Sequence, residues 1–198
     1  MKFLLFTAAI TSLFFASCGG GSTTTITSDD GKTKVTVDPS QAANVADDME
    51  KKIDELKKLS PLTVDQLKVM LPDELLGIKR SSFNTTAMMG YAMGEAEYKK
   101  DDTTSLKLVI IDCAGEAGSA IYGISYWTKM SLQSESDNGY TKTVDFLGQK
   151  AVETYEKGNN MYSEVFVASD RLLVTMQGEN TGLDMVKQAA QGLNLKVN

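Results

Sequence analysis

The spacing of hydrophobic residues divides the chain into a helical N-terminal part and a strand-rich remainder. Between Ala42 and Leu56, apolar residues recur at steps of three and four and form a single stripe. This period predicts an amphipathic helix. The helix is expected to begin at Pro39, because proline suits the first helical position, and to end at Ser60.

A second, shorter helix is predicted directly afterwards. Thr63 and Gln66 have the spacing of a capping box, and Leu62 and Leu67 have the spacing of a hydrophobic staple. Pro72 is expected to end this helix, because proline does not fit the interior of a helix.

From residue 77 the hydrophobic period shortens to two, which is typical of strands. The predicted strands are 78–85, 91–99, 106–113, 140–146, 149–156, 161–168 and 171–177. A helix over 115–130 and a polar loop over 133–139 separate the third strand from the fourth, and a last helix ends at Gly192. The predicted fold class is α+β, an antiparallel sheet of about six or seven strands with helices packed on it, preceded by an N-terminal helical segment.

The order strand, strand, helix occurs twice in this part of the chain. One unit ends in the helix after Cys113, and the other ends in the last helix. Two copies of such a unit would form an antiparallel sheet with helices on one face. A chance similarity explains the same order equally well, so both interpretations stay open.

The N-terminal residues carry the most specific signal in the chain. Lys2 precedes an apolar stretch over residues 3–15, which is followed by the small pair Ala16-Ser17 and then by Cys18. This is the layout of a secretory signal with a small-residue cleavage site. The cysteine at the cleavage point makes it resemble a bacterial lipoprotein signal with a lipobox over residues 15–18, although position 15 is Phe where Leu is usual.

This resemblance implies a lipid anchor, a diacylglycerol on the Cys18 sulfur and fatty acyl chains of the palmitate type. Each buried CH₂ contributes about 0.8 kcal/mol, so two or three chains hold a protein on a bilayer. The alternative is an ordinary secretory signal in which Cys18 is incidental. A membrane-spanning helix is disfavoured, because the apolar stretch is shorter than about 20 residues. Gly19 follows the cysteine, and by resemblance to lipoprotein sorting rules this predicts the outer membrane, facing the periplasm.

The predicted domain organisation follows from these signals. Residues 1–17 are the signal peptide, and residues 18–37 are a lipidated flexible linker, with a two-stranded ribbon around Asp30-Gly31 as the alternative. Residues 38–76 form the N-terminal helices, which pack as one unit with the α+β domain over residues 77–198.

Composition narrows the range of functions. The net charge is −6 and histidine is absent, so nucleic acid is not expected as a partner and the commonest general base and metal ligand are missing. Once Cys18 is lipidated, Cys113 is the remaining thiol, and an intramolecular disulfide is excluded.

Four groups of residues are candidates for chemistry, and each has a structural alternative. Cys113, next to Asp112, is either a nucleophile at a helix start or a buried cysteine, and burial is favoured because no histidine is present to activate it. Three methionines around Tyr91 are soft ligands that suit Cu(I), but packing in a strand is favoured. These methionines are Met88, Met89 and Met93.

The other two groups are paired carboxylates and an aromatic cluster. The carboxylate pairs are Asp101 with Asp102, Glu135 with Asp137, Glu153 with Glu156, and Glu95 with Glu97. Such pairs serve in glycosidases and Ca²⁺ sites, but most surface carboxylates are solvated. Tyr122, Tyr126 and Trp127 form either a partner surface or core packing, and packing is favoured. We therefore predict no catalytic, metal or cofactor-binding residue and no cofactor; the predicted site residue is the lipidated Cys18.

Over roughly residues 60–195 the layout resembles uncharacterised single-domain lipoproteins of Gram-negative envelopes. The stretches that carry the resemblance are Leu62-Thr63-Val64-Asp65-Gln66-Leu67, Gly115-Glu116-Ala117-Gly118-Ser119-Ala120 and Asp170-Arg171-Leu172-Leu173-Val174. A strand-rich body before a C-terminal helix is also similar to the PsbP/Mog1-like α+β sandwich. No functional residue follows from either resemblance, because such folds carry many functions.

The sequence thus predicts a non-catalytic envelope lipoprotein that acts as a binding or interaction module. Its expected partners are membrane lipid, through acylated Cys18, and an envelope protein or ligand. The alternatives are an envelope hydrolase that uses carboxylates and a carrier of a small apolar ligand, which would need a cavity of several hundred Å³.

Overall fold

The structure is a computed structural model that describes residues 24–27, 34–37, 42–88, 90–125 and 131–197. Its helices are α1 (Ala42–Lys57), α2 (Val64–Met70), α3 (Gly115–Ser125) and α4 (Leu183–Gln191). Its strands are β1 (Thr24–Thr27), β2 (Lys34–Val37), β3 (Glu74–Leu75), β4 (Ile78–Met88), β5 (Tyr91–Lys99), β6 (Ser105–Asp112), β7 (Leu132–Ser136), β8 (Gly139–Phe146), β9 (Gln149–Glu156), β10 (Met161–Ala168) and β11 (Leu172–Glu179).

The strands form one antiparallel sheet with the spatial order β1-β2-β7-β8-β9-β10-β11-β6-β5-β4-β3. Nine of them, β3 to β11, lie in the body of the chain, and β1 and β2 add a ribbon at one edge. The α+β class is confirmed, but the sheet is larger than the predicted six or seven strands. The ribbon falls within the residues expected as a linker and corresponds to the alternative given for them.

Two of the additional strands were assigned to other structures by the sequence analysis. β7 lies where a polar loop over 133–139 was predicted, because its residues lack the apolar alternation of a buried strand. It is held by backbone ladders to β2 and β8 on its two sides. β3 lies just after Pro72 and pairs with the start of β4, Glu74 with Lys79 and Leu75 with Ile78.

The two faces of the sheet bury different sets of side chains. The larger core includes Leu108, Val174 and Phe166 from the sheet, Leu67 from α2 and Val186 from α4. The smaller core contains residues of the opposite strand parity and of the other two helices. Its members are Leu56 from α1, Tyr122 from α3, Cys113, Val167 and Leu173. Because neighbouring strand residues point to opposite faces, α2 and α4 cover one face, and α1 and α3 cover part of the other.

This arrangement corrects the predicted repeat. The hairpin β5–β6 is followed by α3, as in the first unit, but from Gly148 three strands, β9 to β11, precede α4, so the second unit has one strand more. However, α3 and α4 lie against opposite faces, so the helices do not share one face as expected. β6 and β11, the last strand of each unit, pair with each other at the centre of the sheet.

Local sequence signals set several element boundaries. Thr63 accepts a hydrogen bond from the Gln66 backbone, and the Gln66 side chain accepts one from the Thr63 backbone, so the predicted capping box is confirmed. β8 and β9 meet in a two-residue turn in which Leu147 and Gly148 both have positive φ, 52° and 78°. Such a turn needs a residue without a Cβ in one of its positions, which glycine supplies.

Candidate functional site

Two glutamates lie side by side on the larger-core face of the sheet. Glu153 on β9 is directly opposite Glu164 on β10. Their exposed fractions are 1% and 0%, although charged side chains are rarely buried to this extent without partners. We name Glu153, Glu164 and the three side chains that contact Glu153 the glutamate cluster.

The carboxylate of Glu153 is contacted by three donor side chains, which come from two neighbouring elements. Tyr140 on β8 donates its hydroxyl to Glu153 Oε1 at 2.8 Å. Lys142 on β8 places Nζ 2.9 Å from the same oxygen. Lys187 on α4 donates from Nζ to Oε2 at 2.6 Å. Both lysines are partly exposed, and the ammonium group of each reaches the buried carboxylate of Glu153.

These contacts determine the charge of Glu153 and its partners. Burial alone would raise the pKa of Glu153, but the hydrogen bonds from Lys187, Lys142 and Tyr140 outweigh it and the net shift is downward. The pKa of Lys187 is raised, because its bond to Glu153 outweighs burial. Burial and the bond to Glu153 raise the pKa of Tyr140. Glu153 is therefore a carboxylate, and Tyr140 keeps its proton.

Glu164 has no such partners. Among the described residues, neither of its carboxyl oxygens has a hydrogen-bond donor. Its cross-strand neighbours are Glu153 on one side and the apolar Met176 on the other. Burial raises the pKa of Glu164 to about 7, while Lys187 opposes the shift and Glu153 adds to it. Glu164 therefore holds a proton through the acidic range and loses it near neutrality.

A row of tyrosines borders the glutamate cluster. Tyr155 and Tyr162 stack with ring centroids 4.4 Å apart, and Tyr140 lies 6.0 Å from Tyr155 on its other side. The Lys142 ammonium lies 4.7 Å from the Tyr140 ring centroid. Because Tyr155 and Tyr162 cover each other's faces, the row forms a wall beside the cluster rather than a flat platform.

A third buried acid, Asp112, lies at the end of β6. The guanidinium of Arg171 donates to both carboxylate oxygens, from Nε to Oδ1 at 2.8 Å and from Nη2 to Oδ2 at 2.6 Å. The backbone N–H groups of Leu62 and Ala114 also donate to Asp112, at 2.7 and 3.2 Å. Arg171 Nη2 donates in addition to the Ser60 carbonyl at 2.9 Å. Asp112 thus joins the α1–α2 loop to the centre of the sheet.

Cys113, the neighbour of Asp112, is buried as predicted. Its side chain packs in the smaller core, and its thiol donates a long hydrogen bond of 3.9 Å to the Ile111 carbonyl. Burial raises the pKa of Cys113 to about 11, so little thiolate is present at neutral pH. Gly118 of α3 approaches the chain here so closely that a Cβ would lie 2.8 Å from the Asp112 carbonyl oxygen.

The methionine and aromatic candidates are only partly within the described residues. Met88 lies opposite Tyr91 and Met93 opposite Thr86, on the ladder between β4 and β5. Tyr122 is buried in the smaller core, which confirms packing for this residue. Met89, Tyr126 and Trp127, like Cys18 and Pro39, lie outside the described residues.

In three of the four predicted carboxylate pairs, at least one carboxylate has another partner. The fourth pair, Glu135 and Asp137, lies at the end of β7 and in the turn after it. Asp101 accepts hydrogen bonds from the Thr103 and Thr104 backbones, and mainly these bonds lower its pKa to about 2. Glu95 pairs with Lys107 at 3.1 Å, and Glu97 lies 3.7 Å from Lys99. Glu153 is buried whereas Glu156 is exposed. In the part of the chain that the structure describes, no three carboxylates or cysteines are grouped to hold a metal ion.

The sequence analysis missed Glu164, Lys142, Lys187 and Arg171. A signal for Glu164 is present, because it occupies the same strand parity as Tyr162 and the buried Phe166. Asp112 likewise shares the parity of Leu108 and Ile110. A charged residue at an inward position of an otherwise apolar strand predicts a buried partner, but it does not identify that partner.

The described surface carries several open clefts. One of about 490 Å³ lies between the β8–β9 turn and the C-terminal residues and is lined in part by Leu147, Phe166, Leu193 and Leu195. Another, of about 310 Å³, is lined by polar residues at the β5–β6 turn, among them Asp101 and Lys107. The glutamate cluster lines neither cleft.

Comparison of the chain with protein-family models, with curated proteins and with solved structures gives no match. Within the described ranges, none of the helices has both the length and the apolar character that a membrane span needs.

Proposed function

We propose that the protein is a non-catalytic binding or interaction module held on the cell envelope by a lipid on Cys18. The observation that carries the proposal is the order basic residue, apolar stretch, small pair, cysteine and glycine over residues 2–19. The proposed location is the outer membrane, on its periplasmic side. The proposed partners are membrane lipid and an envelope protein or ligand.

The surroundings of two buried acids support a structural rather than a catalytic role for them. Glu153 is engaged by Tyr140, Lys142 and Lys187, and Asp112 by Arg171 and backbone N–H groups. A carboxylate in this state would have to break strong charge-assisted bonds before it could take a proton from a substrate.

The anchor is tested by expressing the full chain in a Gram-negative host and determining the mass of the purified product. We expect a chain that begins at Cys18 and carries two or three acyl groups, and we expect it to partition into detergent. Cys18→Ser is the matched control and should partition into the aqueous phase. An unmodified Cys18 thiol in a wild-type product that partitions into the aqueous phase would overturn the proposal.

A carboxylate-dependent hydrolase is the second candidate, and one observation favours it. The pKa of Glu164 is raised to about 7 while that of Glu153 is lowered, which is the division between an acid and a carboxylate seen in glycosidases. Against this, both carboxyls are fully buried and Lys187 of α4 is bonded to Glu153, so a substrate would require the helix to move.

The two candidates are separated by incubating the lipidated protein with purified peptidoglycan and measuring new reducing ends. The proposal predicts no release above a protein-free blank. If release occurs and is lost in Glu164→Gln and Glu153→Gln but kept in Glu156→Gln, an exposed neighbour on β9, the protein is a hydrolase.

A further inference from the structure

One edge of the sheet is left open along most of β4. β3 pairs with only the first two residues of β4, Ile78 and Lys79. From Ser82 to Met88, β4 pairs with β5 on one side and with no described strand on the other. Along such an edge, alternate residues direct their N–H and C=O groups outward, where another strand can pair with them.

Within the open stretch, β4 itself lacks the features that usually prevent strand pairing, although two cations, Lys68 and Arg80, lie over the Phe83 ring at 5.5 and 4.4 Å. No charged residue and no proline occurs from Ser81 to Gly90. The one irregularity of the ladder, between Arg80 and Ser82, precedes the open stretch, and pairing with β5 is regular from there to Met88. Natural edges are commonly protected by lysine, proline or a bulge, so an uncharged, regular edge indicates a surface that pairs.

Exposed apolar side chains lie along β4 and on its neighbouring elements, with Phe83 and Met88 on opposite faces of the sheet because their positions differ in parity. Five of the seven large apolar side chains that are exposed in the described residues belong to α2, to the β3–β4 turn and to β4. They are Val64, Val69, Leu76, Phe83 and Met88. A cleft of about 440 Å³ between the start of α2 and the end of β4 adds Pro61 and Tyr91 to this surface.

We propose that β4 of one copy pairs antiparallel with β4 of a second copy, about a two-fold axis through Thr85. Residues directly opposite in an antiparallel pair lie on the same face, so only registers that pair residues of equal parity are allowed. The register centred on Thr85 sets Asn84 opposite Thr86 and the large Phe83 opposite the small Ala87. The paired stretch runs from Ser82 opposite Met88 to Met88 opposite Ser82, so no charged residues meet. Arg80 lies outside this stretch, where its backbone N–H donates to the Asp73 carbonyl at 2.8 Å.

A second copy fits this edge because the strand complements itself. Thr85 meets Thr85 at the axis, and threonine pairs are favourable across strands. The neighbouring strands carry charge, with Glu74 on β3 and Glu95 and Glu97 on β5, whereas β4 beyond Arg80 carries none. A two-fold interface is also the commonest arrangement of identical chains.

The first test uses a disulfide at the axis. Thr85→Cys in the full lipidated chain, kept in detergent with a mild oxidant, should form a covalent dimer, because opposite Cβ atoms in such a pair are about 4.5–5.5 Å apart. Asp102→Cys, on the exposed β5–β6 turn, is the matched control, and we expect it to cross-link at least tenfold more slowly. Equal rates would overturn the proposal.

The second test introduces like charges on both sides of the two-fold axis. Asn84→Lys with Thr86→Lys, and separately Asn84→Glu with Thr86→Glu, place like charges opposite each other, so each double variant should be monomeric by sedimentation while the unaltered chain is dimeric. Mixing the two should restore dimers that contain one copy of each. A monomeric wild-type chain, or variants that associate only with a foreign polypeptide, would overturn the proposal and assign the edge to another partner.

Discussion

Asp112 and Glu164 are two buried acids on the same face of one sheet, and their surroundings are opposite. Asp112 lies at the end of β6, where it accepts four hydrogen bonds: one from Leu62 in the α1–α2 loop, one from Ala114 just after β6, and two from Arg171 just before β11. Glu164 lies in the middle of β10, where the backbone is used by the ladders on both sides. A strand end gives a buried acid access to backbone donors, whereas a strand centre leaves it dependent on side chains.

The comparison also separates two uses of a buried charge. The bonds of Asp112 connect segments about 50 and 59 positions away in sequence, so they hold the fold together. Glu164 holds together no distant segments and instead carries a proton whose release depends on pH.

The largest effect is expected for Arg171→Met. This change leaves the Asp112 carboxylate buried without its cation, and removing one partner of a buried pair typically costs about 3–5 kcal/mol. Urea denaturation measures the loss in the free energy of unfolding. Asp112→Asn combined with Arg171→Met removes the unpaired charge and should recover part of it. A loss below about 1 kcal/mol in the single variant would show that Asp112 does not hold the fold.

Next in size is the effect of pH on Glu164. Its pKa is about 7 in the folded protein against the ordinary 4.5, so between these values the folded state holds a proton that the unfolded state has released. Stability conferred by Glu164 is therefore full below about pH 4.5 and is lost as the pH rises to about 7, by up to roughly 3 kcal/mol.

Glu164→Gln should remove this dependence. Measured at several pH values from 4.5 to 8, the free energy of unfolding of the wild type should fall relative to that of the variant. Glu156→Gln, on the exposed end of the neighbouring strand, is the control and should follow the wild type. Parallel profiles for wild type and Glu164→Gln would show that the two states bind the Glu164 proton equally.

A smaller loss is expected for Lys187→Met. Glu153 would keep Tyr140 and Lys142, so the loss is that of one charge-assisted bond at a partly exposed site, about 1–2 kcal/mol. Lys150→Met is the control. It removes an exposed pair with Asp145 and should change the free energy of unfolding by less than about 0.5 kcal/mol. A loss as large as that of Arg171→Met would remove the distinction between the two sites.

The smallest effect is expected for Thr63→Ala. Thr63 follows Leu62, whose N–H donates to Asp112, but its own hydroxyl acts only within the capping box of α2. Loss of the cap should cost about 1 kcal/mol, or about 2–4 °C in Tm for a domain of this size. Gln66→Ala removes the reciprocal bond and should cost a similar amount. A loss above about 3 kcal/mol would indicate that the cap supports the ion pair as well.

Local patterns in the sequence predicted much of the fold. The bounds of β5, β9 and β10 match the predicted strands, and the capping box set the start of α2. β7 was missed because its side chains are polar. It is held by backbone ladders to β2 and β8, and β2 is distant from it in sequence. The turns after β6 and β11 determine which face of the sheet α3 and α4 cover. The hydrophobic period of the sequence does not predict the direction of these turns.

Less of the candidate site than of the fold could be predicted from the sequence. The sequence singled out Glu153 as one member of a pair with Glu156, which is close to it along the chain. In the structure, the carboxylate next to Glu153 is that of Glu164, which lies opposite it on the adjacent strand. Identifying that contact requires the register between β9 and β10, and Lys187 is brought in only by the packing of α4. Cys113 was correctly placed in the core, because a thiol at the end of an apolar strand has a local explanation.

The pairing of β6 with β11 has a consequence for the time course of folding. The two strands lie side by side, yet Asp112 at the end of one and Leu172 at the start of the other are separated by α3 and four further strands. During synthesis, a nascent chain that has not yet reached Leu172 leaves β6 and β10 with unpaired edges at the middle of the future sheet. Contacts of such long sequence separation make folding slow, so these two edges stay open to pairing with other strands until nearly all of the polypeptide has been made.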